Sequence, residues 1–86
     1  MIKVFVRYIL ASNIFPKKEE ITLDTPRLGY LVKKLEMHYG KNILKELFDP
    51  FTLILINGKQ IRYTTGFDVE LKDGDEIVFY HAIEGG

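Results

Sequence analysis

Hydrophobic and polar residues alternate along the first ten positions of the chain. One side of this pattern is apolar throughout: Ile2, Val4, Val6, Tyr8 and Leu10. A period of two is typical of a half-buried β-strand, so the pattern predicts a strand over residues 2–10. The turn-forming residues Ser12, Asn13 and Pro16 follow, and a second strand is predicted over residues 19–24. The two strands are expected to form a hairpin.

A helical period replaces the alternation over residues 26–39. The apolar side chains recur at helical spacing and form one face: Leu28, Leu31, Val32, Leu35 and Tyr39. Thr25 is expected as the N-cap and Pro26 as the first helical residue. Gly40 is a good helix stop. A short second helix is predicted just beyond it, with Asn42 as its cap and Pro50 as its end.

Two tight turns organise the remainder of the chain. Asn57-Gly58 is the strongest short-range hairpin pattern and predicts a strand before it and a short returning strand after it. Asp73-Gly74-Asp75 predicts a second turn. A last strand is predicted over residues 76–83.

The predicted order is strand, strand, helix, strand, short strand, strand. The first and last strands can pair in parallel, because a long crossover that contains the helix separates them. One main helix packed across a mixed sheet of four to five strands gives an α+β architecture of the β-grasp type, as in ubiquitin-like domains. At 86 residues the chain is expected to be a single domain over residues 1–86.

Composition narrows the class of protein. There is no cysteine, and the 12 basic residues balance the 12 acidic residues, so the sequence offers no thiolate chemistry and no basic field for nucleic acid. The first residues are alternating and charged, unlike a signal peptide. The longest apolar run, at residues 51–56, is too short to span a membrane. The expectation is a cytoplasmic protein that binds neither nucleic acid nor membrane.

Few residues suggest chemistry inside the domain. His38 and His81 have no ligand-type neighbours in sequence, so no metal site is predicted. Asp73 and Asp75 lack the further ligands of a calcium loop and are better explained by the turn. No internal active site and no tightly bound cofactor are expected.

The face of the sheet that points away from the helix is unusually apolar. Residues 53–56 and 77–80 are apolar on both faces, and Phe5 and Ile9 point away from the main apolar side of the first strand. Either the second helix or a loop covers this face, or it is an exposed patch that binds a partner. The predicted partner surface consists of Phe5, Ile9, Tyr80, His81 and Ile83.

The tail follows the last strand directly. The strand is apolar up to Ile83, and Glu84, Gly85 and Gly86 then form a predicted flexible tail over residues 84–86. Gly-rich chain ends are often merely frayed. Here a predicted strand continues up to the last three residues, so the tail is held close to its end. A tail of glycines is also narrow enough to enter another protein, because glycine has no Cβ.

Residues 26–86 resemble the sulfur-carrier branch of the ubiquitin-like superfamily, which includes the molybdopterin synthase small subunit (MoaD-type) and the thiamin-pathway carrier (ThiS-type). The resemblance rests on the helix "LGYLVKKLEMHYG", the hairpin "LINGKQI", the stretch "LKDGDEIVFY" and the terminal "IEGG". The combination is more specific than any one of the four.

The resemblance implies a function. In this family an adenylating enzyme of the ubiquitin-activating type uses ATP and Mg to adenylate the terminal carboxylate, which becomes a thiocarboxylate with sulfur from a donor protein. By this match Gly86 is the reacting residue, and Glu84 and Gly85 thread into the partner. The chain would then be a carrier and not an enzyme. The segment "KNILKELFDP" favours the molybdopterin branch, with the molybdopterin synthase large subunit as sulfur acceptor.

Alternatives remain at this point. The carrier could serve thiamin synthesis or tRNA thiolation, or it could be a ubiquitin-like protein modifier. A non-covalent β-grasp interaction module is the alternative of another class.

Overall fold

The computed structural model describes residues 1–10, 14–49, 51–61 and 68–81. The described elements are β1 (Ile2–Ile9), β2 (Lys18–Leu23), α1 (Leu28–Tyr39), α2 (Ile43–Leu47), β3 (Thr52–Ile56), β4 (Lys59–Ile61) and β5 (Glu76–His81). The predicted turn residues Ser12 and Asn13 and the predicted helix end at Pro50 lie outside the described residues.

The five strands form one mixed sheet in the order β2-β1-β5-β3-β4. The central pair, β1 and β5, is parallel, whereas the β1–β2, β3–β4 and β3–β5 pairs are antiparallel. The crossover from β1 to β5 contains α1, as a parallel connection requires. The predicted β-grasp fold, with one main helix and a mixed sheet, is therefore confirmed.

The core lies between one face of the sheet and the two helices. Its sheet side is formed by side chains of β1 and β5, among them Val4, Val6, Ile77 and Phe79. The predicted apolar face of α1 packs against it: Leu28, Leu31, Val32 and Leu35 are all buried. Helix α2 adds Ile43 and Leu47, both completely buried, to this same core. Both helices therefore pack on one face of the sheet, and α2 does not cover the other face.

The predicted start of α1 is wrong. The helix begins at Leu28 after an extended N-cap residue, Arg27 (φ −133°, ψ 145°), and not after Thr25. The reason is a pairing with a distant segment: Leu28 N donates to Val69 O at 3.0 Å, and Leu71 N donates to Pro26 O at 2.8 Å. Because Arg27 forms an isolated antiparallel bridge with Glu70, Pro26 and Arg27 stay extended and the helix starts only at Leu28.

Both predicted turns are confirmed. Asn57 (φ 53°) and Gly58 (φ 85°) have the left-handed conformations that a two-residue hairpin turn requires. The second turn closes with a 3.0 Å hydrogen bond from Asp75 N to Lys72 O. Asp73 also fastens it to β1, since its Oδ1 accepts from Lys3 N at 2.8 Å. These turns fix the position at which β5 begins.

One carboxylate joins β1, β2 and α1. The hydroxyls of Tyr8 and Tyr39 both donate to Oε2 of Glu19, each at 2.7 Å. Burial, followed by the hydrogen bond to the Glu19 carboxylate, raises the pKa of Tyr39 to about 12. The same two causes, in the same order, raise the pKa of Tyr8 far above its usual range. Both phenols are therefore neutral donors across the physiological range.

Among the described residues, neither α1 nor α2 is long and apolar enough to cross a membrane.

Candidate functional site

The structure describes the strand that precedes the predicted tail, whereas the tail itself lies outside the described residues. Ile83, Glu84, Gly85 and Gly86 lie outside the described residues. The strand that leads to them, β5, lies between β1 and β3 in the sheet. Ile77 and Phe79 of this strand are completely buried. The last described strand before the tail is therefore paired on both sides and anchored by its core side chains.

Three strand ends meet where the chain leaves β5. Parallel pairing sets Ile9, the last residue of β1, beside Tyr80, and antiparallel pairing sets Thr52, the first residue of β3, beside His81. The last residues of β1 and β5 and the first residue of β3 consequently lie at the same end of the sheet.

This end of the sheet carries exposed apolar side chains. Ile9 is 45% exposed, Tyr80 is 39% exposed, and Phe51, just before β3, is 59% exposed. The Phe51 ring stands edge-on to the His81 imidazole, with 6.4 Å between ring centroids. We call these four residues, Ile9, Phe51, Tyr80 and His81, the exit patch. Exposed apolar side chains that cluster in this way are typical of a protein-binding surface.

Phe51 belongs to the exit patch although the sequence did not single it out. Its place depends on the antiparallel pairing of β3 with β5, which no local pattern specifies. The available indication was an aromatic residue directly before an apolar strand.

Phe5 is separate from the other predicted partner residues. It pairs with Glu76, four residues before Tyr80. At about 3.3 Å per residue the two aromatic side chains are therefore roughly 13 Å apart along the strand. Phe5, which is 39% exposed, lies instead over a shallow groove of about 540 Å³. Charged residues surround it there, and Arg7 and Glu76 form an ion pair at 4.0 Å.

Between Phe5 and the exit patch, the outer face of the sheet is apolar. Val78 is buried to 8% exposure, although it does not belong to the core between sheet and helices. Leu53 and Leu55, its neighbours on β3, are half-buried. Of the two interpretations of this face, coverage by the second helix is excluded, because α2 lies on the opposite side.

The other titratable candidates have structural surroundings. His38 lies near the end of α1 with its ring edge-on to Tyr39 at 4.6 Å. Asp73 and Asp75 are hydrogen-bond acceptors of the turn before β5. Within the described ranges, no group of three or more histidine, aspartate or glutamate side chains is placed to hold a metal ion.

Comparison with known proteins identifies the family to which the chain belongs. The ThiS family matches the chain over residues 2–86. The chain belongs to the ThiS family. A protein of Archaeoglobus fulgidus, described provisionally as a sulfur carrier protein, is 31% identical over 86 residues, which cover 94% of this chain and 98% of that protein.

Two solved structures are similar to this ThiS-family chain. The first, from Pyrococcus furiosus, is described provisionally as molybdopterin converting factor subunit 1; it has a TM-score of 0.74 at 24% identity and covers 96% of this chain and 100% of its own. The second belongs to the protein–protein complex of subunits 1 and 2 of molybdopterin-converting factor from Helicobacter pylori. It has a TM-score of 0.68 at 22% identity and covers 99% of this chain and 100% of its own.

Membership of the ThiS family makes the chain a sulfur carrier protein, and the prediction of a carrier that is not itself an enzyme is confirmed. The geometry fits a carrier. The described part of this ThiS-family chain provides a central strand, β5, with exposed apolar side chains around its last residues.

Proposed function

We propose that the chain carries sulfur as a thiocarboxylate on Gly86 and donates it during molybdopterin synthesis. The observation that supports this proposal is the exit patch, where β5 ends at His81 between two other strand ends and beside exposed apolar side chains. A partner bound to this patch lies next to the tail that follows. Docking on a rigid surface can then place the terminal carboxylate accurately in the partner's site.

The tail chemistry follows from its residue types. An α-carboxyl group has a pKa of roughly 3.5, so it is ionised at neutral pH. One carboxylate oxygen attacks the α-phosphate of ATP, pyrophosphate leaves, and an acyl-adenylate forms. A persulfide sulfur of a donor protein then displaces AMP, and a thiol cleaves the resulting acyl disulfide to leave the thiocarboxylate. Gly85, which has no Cβ, permits close passage through a narrow channel.

The partners supply the catalysts in this scheme. An adenylating enzyme provides the site for ATP and Mg, and a synthase subunit accepts the sulfur. Assignment to molybdopterin synthesis is supported by the names of the two similar structures, one of them a complex of subunits 1 and 2. The length of the segment over residues 41–50 supports the same branch.

The proposal is tested by mass spectrometry of the intact protein. The chain ending at Gly86 is incubated with an adenylating enzyme, Mg-ATP and a sulfur donor. We expect the mass to change by one sulfur in place of one oxygen, localised to Gly86. A chain with one residue added after Gly86 displaces the carboxylate by roughly 3.3–3.6 Å and should remain unmodified. Deletion of Gly86 and the Gly85→Val substitution should both reduce modification without changing the fold.

A second experiment tests the identity of the sulfur acceptor separately from the carrier function. The thiocarboxylate form is mixed with the large subunit of molybdopterin synthase and its substrate, and we expect the added sulfur to be lost. Modification without such loss would refute the molybdopterin assignment alone. Modification of the lengthened chain to the same extent, or no modification of the chain ending at Gly86, would refute the thiocarboxylate and favour a non-covalent interaction module.

A further inference from the structure

The outer face of the sheet, which points away from the helices, carries charged side chains in two rows across the strands. Phe5 pairs with Glu20 on one side and with Glu76 on the other, so an aromatic ring lies between two carboxylates. We call these three residues the acidic row. Two residues farther along β1, Arg7 pairs with Lys18, and these two residues form the basic row. The rows are roughly 6.6 Å apart, because a strand rises about 3.3 Å per residue.

The charges of the two rows are exposed and only loosely paired within the chain. Arg7 Nη1 lies 4.0 Å from Glu76 Oε2. Lys3 Nζ, on the far side of the acidic row, lies 3.9 Å from Glu20 Oε2. These four side chains keep between 46% and 58% of their surface exposed, and ion pairs of this kind contribute little to stability. They can therefore be exchanged for pairs with another molecule.

The groove beside Phe5 contains both signs of charge, so an occupant of a single sign is disfavoured. It is lined by both rows and by Glu19, whose carboxylate already accepts from Tyr8 and Tyr39. An occupant fits this surface if it presents cations to the acidic row and anions to the basic row. A surface with the same two rows in reversed order meets that condition. The outer face of a second copy of this chain is such a surface.

A twofold axis that crosses the strands midway between the two rows brings opposite charges together. It lays the acidic row of each copy over the basic row of the other, with Glu20 opposite Lys18 and Phe5 opposite Arg7. An axis through the acidic row would set Glu20 against Glu20, and an axis along β1 would set Glu20 against Glu76. Like charges that face each other are destabilising. The axis between the rows is therefore the one that the charges favour.

We propose that the outer face of the sheet is a self-association surface, on which two copies pack face to face about this twofold axis. Facing sheets lie about 10 Å apart with their strands within about 30° of each other, so long side chains meet between them. Arg7 of each copy then lies on the Phe5 ring of the other, where Glu20 and Glu76 flank the guanidinium. This surface is additional to the sulfur-carrier function and does not depend on it.

The proposed dimer covers part of the exit patch. Ile9 and Tyr80 are paired neighbours in the next row beyond the basic row, on the same face of the sheet. The twofold axis lays this row over Lys3 of the second copy. A dimer and a partner bound at the exit patch therefore exclude each other. The dimer would be a resting form that must dissociate before a partner binds.

Concentration dependence is the first test. Sedimentation equilibrium of the unchanged protein between about 10 μM and 1 mM should show the average mass rise from that of one chain towards that of two. Added salt should weaken the association, because it screens the charge pairs. Amide chemical shifts of ¹⁵N-labelled protein should change on dilution at Phe5, Arg7 and Tyr80, whereas those of α1 should stay constant.

Charge exchange tests the position of the axis. Glu20→Lys faces Lys18 of the second copy, and Lys18→Glu faces Glu20, so each variant alone should self-associate more weakly by about tenfold or more. A mixture of the two variants should restore association, because each lysine of one chain then faces a glutamate of the other. Circular dichroism reports that each variant is folded.

A matched control separates this pairing from general attraction between chains of opposite net charge. Lys33→Glu gives the same net charge as Lys18→Glu, but Lys33 is exposed on α1, away from the outer face. Sedimentation of a fluorescently labelled Glu20→Lys chain should therefore show tighter binding to Lys18→Glu than to Lys33→Glu. Lys33→Glu alone should self-associate like the unchanged protein.

Three results would overturn the proposal. The mass of a single chain up to about 1 mM would show that the outer face does not bind a second copy. Dilution shifts confined to α1 would place self-association on another surface. Equal binding of the labelled Glu20→Lys chain to Lys18→Glu and Lys33→Glu would refute the pairing of the two rows.

Discussion

Asn57 and Asp75 are joined side chain to side chain: Nδ2 of Asn57 donates a 2.9 Å hydrogen bond to Oδ1 of Asp75. Oδ1 of Asn57 accepts from Glu76 N at 2.9 Å, and Oδ2 of Asp75 accepts from Lys72 N at 2.7 Å. The hairpin motif "LINGKQI" and the motif "LKDGDEIVFY" are thus two halves of one joint. This joint sets the first residue of β5 against the β3–β4 turn.

The joint makes a prediction about stability. Asn57→Gly keeps the left-handed turn but removes both side-chain hydrogen bonds, and we expect it to lower the free energy of unfolding by about 1–2 kcal/mol. Asn57→Ala also forces a side chain into the left-handed region and should lose roughly a further 1 kcal/mol. Urea denaturation of the three proteins measures both differences. Equal midpoints for all three would show that the joint contributes nothing.

The shared carboxylate of Glu19 predicts a pH dependence at alkaline pH. The pKa of Tyr39 rises to about 12 on folding from an ordinary value near 10, and that of Tyr8 rises in the same direction. Above pH 10 the unfolded chain loses these phenolic protons while the folded chain retains them. The free energy of unfolding should therefore keep its full value below pH 10 and decrease between pH 10 and 12.

Urea midpoints at pH 9 and pH 11 test this prediction, and Tyr39→Phe is the control. The variant has no Tyr39 phenol to ionise, so its midpoint should fall less between the two pH values than that of the unchanged protein. The same fall in both proteins would attribute the alkaline loss to other groups, such as lysines.

The orientation of α1 predicts a contrast between two neighbouring regions of its surface. Leu35 is 1% exposed in the core, and Leu35→Ala should lower the free energy of unfolding by about 2–5 kcal/mol through the cavity it leaves. Lys33→Ala, on the exposed side, should change it by less than about 0.5 kcal/mol. Chemical denaturation distinguishes the two, and similar midpoints would mean that the helix faces the sheet with another side.

The exit patch predicts which substitutions impair partner binding. Tyr80→Asp or Phe51→Asp places a charge where an apolar contact forms, and we expect the affinity for the adenylating enzyme to fall by about 2 kcal/mol or more. Phe5→Asp, roughly 13 Å farther along the strand, should have a smaller effect. Met37→Asp is the control, because Met37 is 78% exposed on α1. Isothermal titration calorimetry that gives one affinity for all four variants would remove the patch from the interface.

Local sequence patterns predicted the elements but not the contacts between them. The alternation at Val4, Val6 and Tyr8 identified the buried side of β1, and Asn57-Gly58 identified the β3–β4 hairpin, because both patterns depend on adjacent residues. The start of α1 was misplaced because pairing of Arg27 with Glu70, 43 positions later, overrides the capping preference of Thr25. Glu19 was not recognised as a shared acceptor, since Tyr8 and Tyr39 reach it from different elements.

The same limit applies to the candidate site. Of the predicted partner residues, Ile9 and Tyr80 are paired at neighbouring strand ends, whereas Phe5 pairs with Glu76, four residues before Tyr80. Their spacing follows from strand register, which is fixed by pairing over a long sequence separation. Phe51 was missed for this reason. The roles assigned to Ile83, Glu84, Gly85 and Gly86 remain predictions, since they concern residues beyond the described strand.

The central place of β5 has a consequence for how the molecule folds. The β1–β2 hairpin, α1 and the β3–β4 hairpin depend on short-range contacts, but β5 must pair with β1 at Phe5↔Glu76, across most of the chain. Long loops close slowly, so β5 is expected to enter last, between two strands already in place. Pulsed hydrogen exchange during refolding should then protect Ile77 and Phe79 after Val4 and Leu31. The tail would therefore be presented only in the final folding step. A partner that recognises the exit patch would bind only fully folded molecules.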